Sequence, residues 1–281
     1  MRWLIPFLLP LALAAPSAAQ DRSRLPTIAA AGPPLQALTT AEANRRWQAI
    51  GRLDFGRGFC TGTLIAADLV LTAAHCLFDA DTGTRMPEAA IRFNAGLRNG
   101  RPEALRTVRR SVVHPDYRYG TPDDLGRVRS DLALLELDRP IPSGTIVPVP
   151  AHGGVRPGDV VRVVSYGAER EEVASLEEDC LVLAGDPGVL VLSCHVDPGS
   201  SGAPILIERA GRLSVVSVVS ARATWRGEAV ALSAELDGGI APLLDLMERT
   251  DDVFSREAAR VRTLSTGQDG RDGIGARFLR P

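Results

Sequence analysis

The chain has 281 residues, 45% hydrophobic and 23% charged, which are ordinary globular values and exclude a collagen-like or wholly disordered chain. Its 32 basic and 34 acidic side chains leave a net charge of −2, so no basic excess points to a nucleic-acid partner. Every basic residue is Arg, and the absence of Lys excludes a Schiff-base lysine, a P-loop lysine and a Ser–Lys dyad.

In chain order, Arg2 precedes an apolar run from Trp3 to Ala15 that only Pro6 and Pro10 interrupt. The run is shorter than the roughly 20 residues a membrane-spanning helix needs. Ser17-Ala18-Ala19 then supplies small residues before a cleavage point. Residues 1–19 therefore read as a secretory signal cleaved after Ala19. No Cys follows that point, so no lipid anchor is suggested and no stable membrane anchor is expected after cleavage. A secreted or periplasmic protein is predicted. Residues 20–46, rich in Ala, Pro and Thr, read as a leader, propeptide or linker. Within and just beyond it, Ala41–Gln48 is expected to be a short helix capped by Thr40.

From Ala49 onward, short β-like runs alternate with Gly, Pro and Asp. Examples are Thr63–Ile65, Leu69–Thr72, Leu132–Leu137, Val160–Val164, Leu181–Leu183, Val189–Leu192, Ile205–Ile207 and Leu213–Ser220. Many short strands without intervening helices predict an all-β sandwich or barrel. Apolar residues at 240, 243, 244 and 247 have helical spacing and predict a short C-terminal helix. Residues 250–281 read as a polar tail, partly disordered.

Four cysteines permit two disulfides in an exported protein. Cys60 and Cys76 lie symmetrically about Asp68, at the turn between two apolar runs. Cys180 and Cys194 lie symmetrically about Pro187, within the turn sequence Gly185-Asp186-Pro187-Gly188. If each pair of runs forms a hairpin, the cysteines face one another across it, near the spacing a disulfide needs. The rival is a metal site built from His75-Cys76 and Cys194-His195. It is disfavoured, because thiolates survive poorly outside the cell and neither spacing is of a zinc-finger type.

Three patterns carry chemistry. Leu71-Thr72-Ala73-Ala74-His75-Cys76 ends one apolar run. Ser130-Asp131 opens another. Asp197-Pro198-Gly199-Ser200-Ser201-Gly202-Ala203-Pro204 precedes a third. A serine hydroxyl is a weak nucleophile unless a base takes its proton. Imidazole is the natural base near neutral pH. A buried carboxylate then fixes the ring's tautomer and stabilises the imidazolium. Glycines around Ser201 let the backbone turn so that N–H groups converge on one point.

With these motifs the chain resembles the chymotrypsin-fold serine proteases, and among them the bacterial V8-like secreted members. Thr72-Ala73-Ala74-His75-Cys76 is similar to the family's histidine motif, Asp131-Leu132-Ala133-Leu134-Leu135 to its aspartate motif, and Gly199-Ser200-Ser201-Gly202-Ala203-Pro204 to its nucleophile motif. His114-Pro115-Asp116-Tyr117 is similar to a segment often found between the first two. The resemblance implies two six-stranded antiparallel β-barrels, at about 47–145 and 146–240, within a protease domain spanning 47–249. The active site would lie in the cleft between the barrels. It also implies His75, Asp131 and Ser201 as the catalytic residues, with the N–H groups of Gly199 and Ser201 as the oxyanion hole.

Departures from the family pattern are specific. Animal members carry Asp just before the nucleophile, where it receives the ammonium of a freshly cut N-terminus; this chain has Ser200. The nearest relic of their N-terminal motif is Ala49-Ile50-Gly51-Arg52. Counting back six positions from Ser201 puts His195 at the base of the specificity pocket, with Ser220 on the substrate-binding strand and Arg222 on the wall. A trypsin-like preference for basic residues is unsupported, because no Asp occupies that base, and strict Glu specificity is unsupported too, because Val219 stands where glutamate-specific relatives carry His; a pocket with His195 and Arg222 would still favour acidic side chains. The reading is a monomeric secreted serine endopeptidase acting on protein or peptide substrates through an acyl-enzyme, needing no metal or organic cofactor. Two alternatives are an esterase using the same triad and a catalytically silent protease-like binding module.

Overall fold

The structure is a computed structural model that describes residues 35–56, 58–121 and 125–255. The expected signal sequence, the expected leader up to residue 34 and the expected tail from residue 256 lie outside the described residues.

The first elements are strand β1 (Gln36–Ala37) and helix α1 (Ala41–Arg45). Thr40 caps α1 as expected, its Oγ1 accepting from the Ala43 N–H at 3.1 Å. The helix stops at Arg45 instead of continuing to Gln48. Asn44 is buried and donates to the Gly96 carbonyl, and Trp47 turns inward and is buried too. Tertiary packing thus ends the helix before its local sequence does.

Six strands follow: β2 (Ile50–Asp54), β3 (Phe59–Ala66), β4 (Leu69–Thr72), β5 (Arg92–Ala95), β6 (Ala104–Val113) and β7 (Ala133–Leu137). They close into a barrel in the order β2-β3-β4-β7-β6-β5. Short helix α2 (Leu125–Arg129) precedes β7. The second set is β8 (Val160–Gly167), β9 (Arg170–Asp186), β10 (Val189–Leu192), β11 (Pro204–Arg209), β12 (Arg212–Trp225) and β13 (Glu228–Glu235). These run β9-β10-β13-β12-β11-β8, with β8 pairing back onto β9 to close the ring and β1 added alongside β9. All these pairs are antiparallel. The two-barrel, all-β expectation holds.

Closure leaves no long unpaired edge and turns one face of every strand inward. Leu53, Leu64, Phe93 and Leu135 fill the first barrel, and Val161, Val182, Leu192, Ile205 and Val216 the second. Helix α3 (Ala241–Ser255) closes the described chain, burying Leu243 and Met247. It runs on past residue 247, the last of the apolar positions that predicted it. Arg110 of β6 donates to the Met247 carbonyl at 2.7 Å and to Thr250 Oγ1 at 3.0 Å, anchoring that extra turn.

Both disulfides form, by different geometries. The β9–β10 hairpin turns at Pro187-Gly188, with Gly188 at φ +82°. A bulge at Val191/Leu192 then shifts the register by one residue, bringing Cys194 opposite Cys180. The first bridge is not a cross-strand pair. Cys60 sits in β3, but Cys76 lies past the end of β4, in a 3-10 turn (Ala74–Leu77). The bridge therefore ties that turn to the barrel wall. Replacing Cys180 and Cys194 together by Ser should cost about 3 kcal/mol of unfolding free energy, from the lost loop closure. Chemical denaturation of the oxidised protein and of the variant measures this, and equal midpoints would contradict it.

Candidate active site

Strands β4 and β7 are antiparallel neighbours, with Thr72 opposite Ala133. The chain just after β4 therefore meets the chain just before β7, and that juxtaposition brings His75 to Asp131. The contact is double: Asp131 Oδ1 accepts from the His75 backbone N–H at 2.8 Å, and Oδ2 from Nδ1 at 2.7 Å. A carboxylate partner assigns the ring proton to Nδ1 and leaves Nε2 with its lone pair. Ser220 Oγ donates a further bond to Asp131 Oδ2 at 2.5 Å. Asp131 is 1% exposed. Burial alone would push its pKa up, but the His75 charge and the hydrogen bonds from His75 and Ser220 hold it below the usual carboxylate range.

Ser201 arrives from the other barrel. β11 pairs with β12, with Pro204 opposite Val218, so the segment before β11 lies beside Ser220. The Ser201 carbonyl accepts from the Thr61 N–H at 2.8 Å, which docks the loop on the first barrel. Thr61 Oγ1 donates to the Gly199 carbonyl at 3.0 Å and accepts from the Tyr166 N–H at 3.1 Å. Gly202 has φ +78°, and a Cβ there would lie 2.2 Å from Thr72 Oγ1 and 2.3 Å from the Thr61 carbonyl. Only glycine lets the loop approach the first barrel this closely.

The direction of two N–H groups follows from their peptide planes. The Pro198 carbonyl accepts from the Ala168 N–H at 2.8 Å, and the Ser200 carbonyl from the Ala203 N–H at 3.0 Å. In a trans peptide the N–H points opposite to its C=O. The Gly199 and Ser201 N–H groups therefore face away from these anchors, and among the described residues neither has a protein acceptor.

His75, Gly199, Ser201 and Ser220 line one cleft cavity of about 610 Å³, with Phe59 and Arg127 also on its walls. Among the described residues no hydrogen bond joins Ser201 to His75 in this resting geometry. A base–nucleophile contact of this type often tightens only with substrate. Ser201 and Ser220 also border a smaller pocket of about 170 Å³, walled by Val196, Asp197, Pro198, Val219 and Arg222. Arg222 is exposed. Asp197 is engaged by Arg170 at 3.6 Å. A groove of about 500 Å³ bordered by Arg46, Thr145, Val147 and Leu213 contains none of these groups.

His195 does not line the pocket. Its backbone N–H and Nδ1 are both bound by the buried Glu177 carboxylate, at 2.8 and 3.0 Å, which holds the ring outward. The residue sits just after Cys194, whose bridge to Cys180 fixes that stretch against β9. Counting positions from the nucleophile could not register this tether. His75 also lies near Cys60 and Cys76, but their sulfurs are bonded to each other and offer no thiolate to a metal. Sequence reading missed three contributors: Thr61 as the clamp between barrels, Ser220 as a donor to Asp131, and Arg170. The sequence places Ser220 only on the substrate-binding strand. None of the three sits inside the histidine, aspartate or nucleophile motif.

The trypsin-like peptidase domain matches residues 60–216, and the chain belongs to that family. Mouse cathepsin G is 36% identical over 116 residues, covering 40% of this chain and 40% of its own length. Human cathepsin G is 30% identical over 149 residues, covering 51% of this chain and 54% of its own. The chain thus spans about half or less of the length of these curated relatives. A solved structure described as Glu endopeptidase in complex with MPD superimposes with a TM-score of 0.62 at 16% identity. That match covers 80% of this chain and all of the other, and it establishes a shared fold.

Proposed function

We propose that the protein is a secreted serine endopeptidase of the bacterial V8-like branch. His75 Nε2 takes the Ser201 proton as Oγ attacks the peptide carbonyl. The Gly199 and Ser201 N–H groups receive the resulting oxyanion. His75 then returns the proton to the departing amine, leaving an acyl-enzyme. Water, deprotonated by the same ring, releases the acid and restores Ser201. Asp131 keeps Nδ1 protonated and balances the imidazolium, and Ser220 steadies Asp131. The observation that carries this reading is the double His75–Asp131 contact, which leaves Nε2 as the available base in a cavity shared with Ser201.

Ser200 ahead of the nucleophile supports the V8-like placement, and two disulfides support an oxidising compartment. Among the described residues no helix is long and apolar enough to cross a membrane. Substrate backbone would pair with β12 beyond Val219, where that strand has left β11. With Asp197 engaged by Arg170, Arg222 is the pocket's available charge, so an acidic side chain is the preferred occupant. A quenched-peptide library should show cleavage after Asp or Glu, with turnover of peptides and not only of simple esters. Arg222→Glu should weaken that preference at least about tenfold, since it sets like charges together. Indifference to acidic residues in the wild type would remove the specificity reading, and ester turnover alone would replace endopeptidase by esterase.

A further inference from the structure

Arg170 lies at the tip of the β8–β9 hairpin, paired with Gly167. Its guanidinium donates to the Ser165 carbonyl at 2.7 Å, to Ser165 Oγ at 3.2 Å and to Ser200 Oγ at 3.2 Å. The Asp197 carboxylate completes the ring of acceptors at 3.6 Å. Ser200, the residue before the nucleophile, is 0% exposed. Its Oγ also contacts Ser165 Oγ at 3.2 Å and accepts from the Asp197 N–H at 3.3 Å. One cation therefore gathers both ends of the Asp197–Ser200 segment. The same hairpin tip supplies Ala168, whose N–H holds the Pro198 carbonyl and so aims the Gly199 N–H. Gly167 makes the arrangement possible, since a Cβ there would lie 2.5 Å from the guanidinium.

The chain ahead of the first barrel is meanwhile built into the fold. Gln36 and Ala37 pair with Leu176 and Ser175 of β9, and Leu38 is buried. Ile50 is 1% exposed and pairs with Thr63. A new terminus at Ile50 could reach Ser200 only by pulling β2 out of its barrel.

We propose that Arg170 is a positioning residue that holds the nucleophile loop in its working shape from within the chain, so that activity requires no newly cut N-terminus near Ile50. This rests on the serine-peptidase reading above.

The test uses the full exported chain, with turnover, fluorophosphonate labelling and thermal midpoint measured together. Arg170→Ala should lower kcat about 100-fold, the scale of one lost oxyanion donor, with KM little changed. Millimolar guanidinium ion should restore part of that loss while leaving the wild type unaffected. Arg170→Lys should work at neutral pH and lose kcat as alkaline pH deprotonates the amine, at or below the ordinary lysine value of about 10.4 because burial disfavours the charge, since only the charged amine holds the loop. The wild type should stay active there, past the α-amino range of about 8. The groups facing position 170 are Ser165, Ser200, Asp197 and Glu177, the last already bound to His195. The mass of the labelled wild type should place its start upstream of Gln36.

A wild type that neither labels nor turns over would overturn the peptidase reading and this inference together. An active wild type with an undiminished Arg170→Ala would overturn this inference alone. So would a loss that neither guanidinium nor Lys repairs, or a labelled species beginning at or after Ala49.

Discussion

His75→Ala is expected to lower kcat on the order of 10⁶-fold, Ser201→Ala by a similar factor, and the double variant no further. The equality follows from the chemistry. Without His75 nothing takes the Ser201 proton, and without Ser201 the ring has no nucleophile to activate, so the two side chains act as one unit. The remaining turnover would come from the Gly199 and Ser201 N–H groups and from substrate binding in the cleft. Both substitutions truncate side chains that are not fully buried, so folding should survive. Circular dichroism and thermal melts on the same samples would separate lost chemistry from lost structure. Two single losses that multiply in the double variant would contradict a coupled pair.

Asp131→Asn should cost about 10⁴-fold in kcat. The carboxylate now accepts from both the His75 backbone N–H and Nδ1, and from Ser220 as well. An amide has one acceptor oxygen and a donor nitrogen, so one of these contacts becomes donor against donor. The ring escapes by moving its proton to Nε2, which removes the base. A second consequence concerns acid stability. The carboxyl of Asp131 is held below its ordinary range in the folded state, and it approaches about 3.9 when the chain unfolds. Its stabilising contribution is therefore complete above about pH 4 and is lost as pH falls through the lower, folded value. Asp131→Asn should flatten the stability profile in that acid window, measured as thermal midpoint against pH. A profile unchanged from wild type would mean that Asp131 is not held as the structure places it.

His75, Asp131 and Ser201 were legible as candidates because each stands at the end of an apolar run, in a short stretch of unusual composition. The strands carrying them were legible for the same reason. Strand β6 was harder, because Arg106, Arg109 and Arg110 interrupt its apolar pattern. Arg109 and Arg110 converge on Glu136 of the neighbouring strand, a partner that periodicity cannot supply. Strand β13 is rich in Ala, which has little intrinsic preference for strands, and it is held by pairing with β10 and β12. The placement of His195 failed because one tether to Glu177 turned the ring outward. Arg170 was invisible for a related reason. Glu169-Arg170-Glu171-Glu172 reads as a solvated charge run, yet the hairpin turn at Glu169, with φ +64°, folds the arginine inward against Ser200. In each case a long-range contact overrode the local pattern.

The most direct test of the account is covalent labelling of the protein with a fluorophosphonate, followed by mass mapping of the adduct. The account predicts stoichiometric modification at Ser201, abolished by Ser201→Ala and strongly slowed by His75→Ala. No adduct on the wild type under conditions where a control serine hydrolase reacts, or an adduct at any other residue, would contradict it.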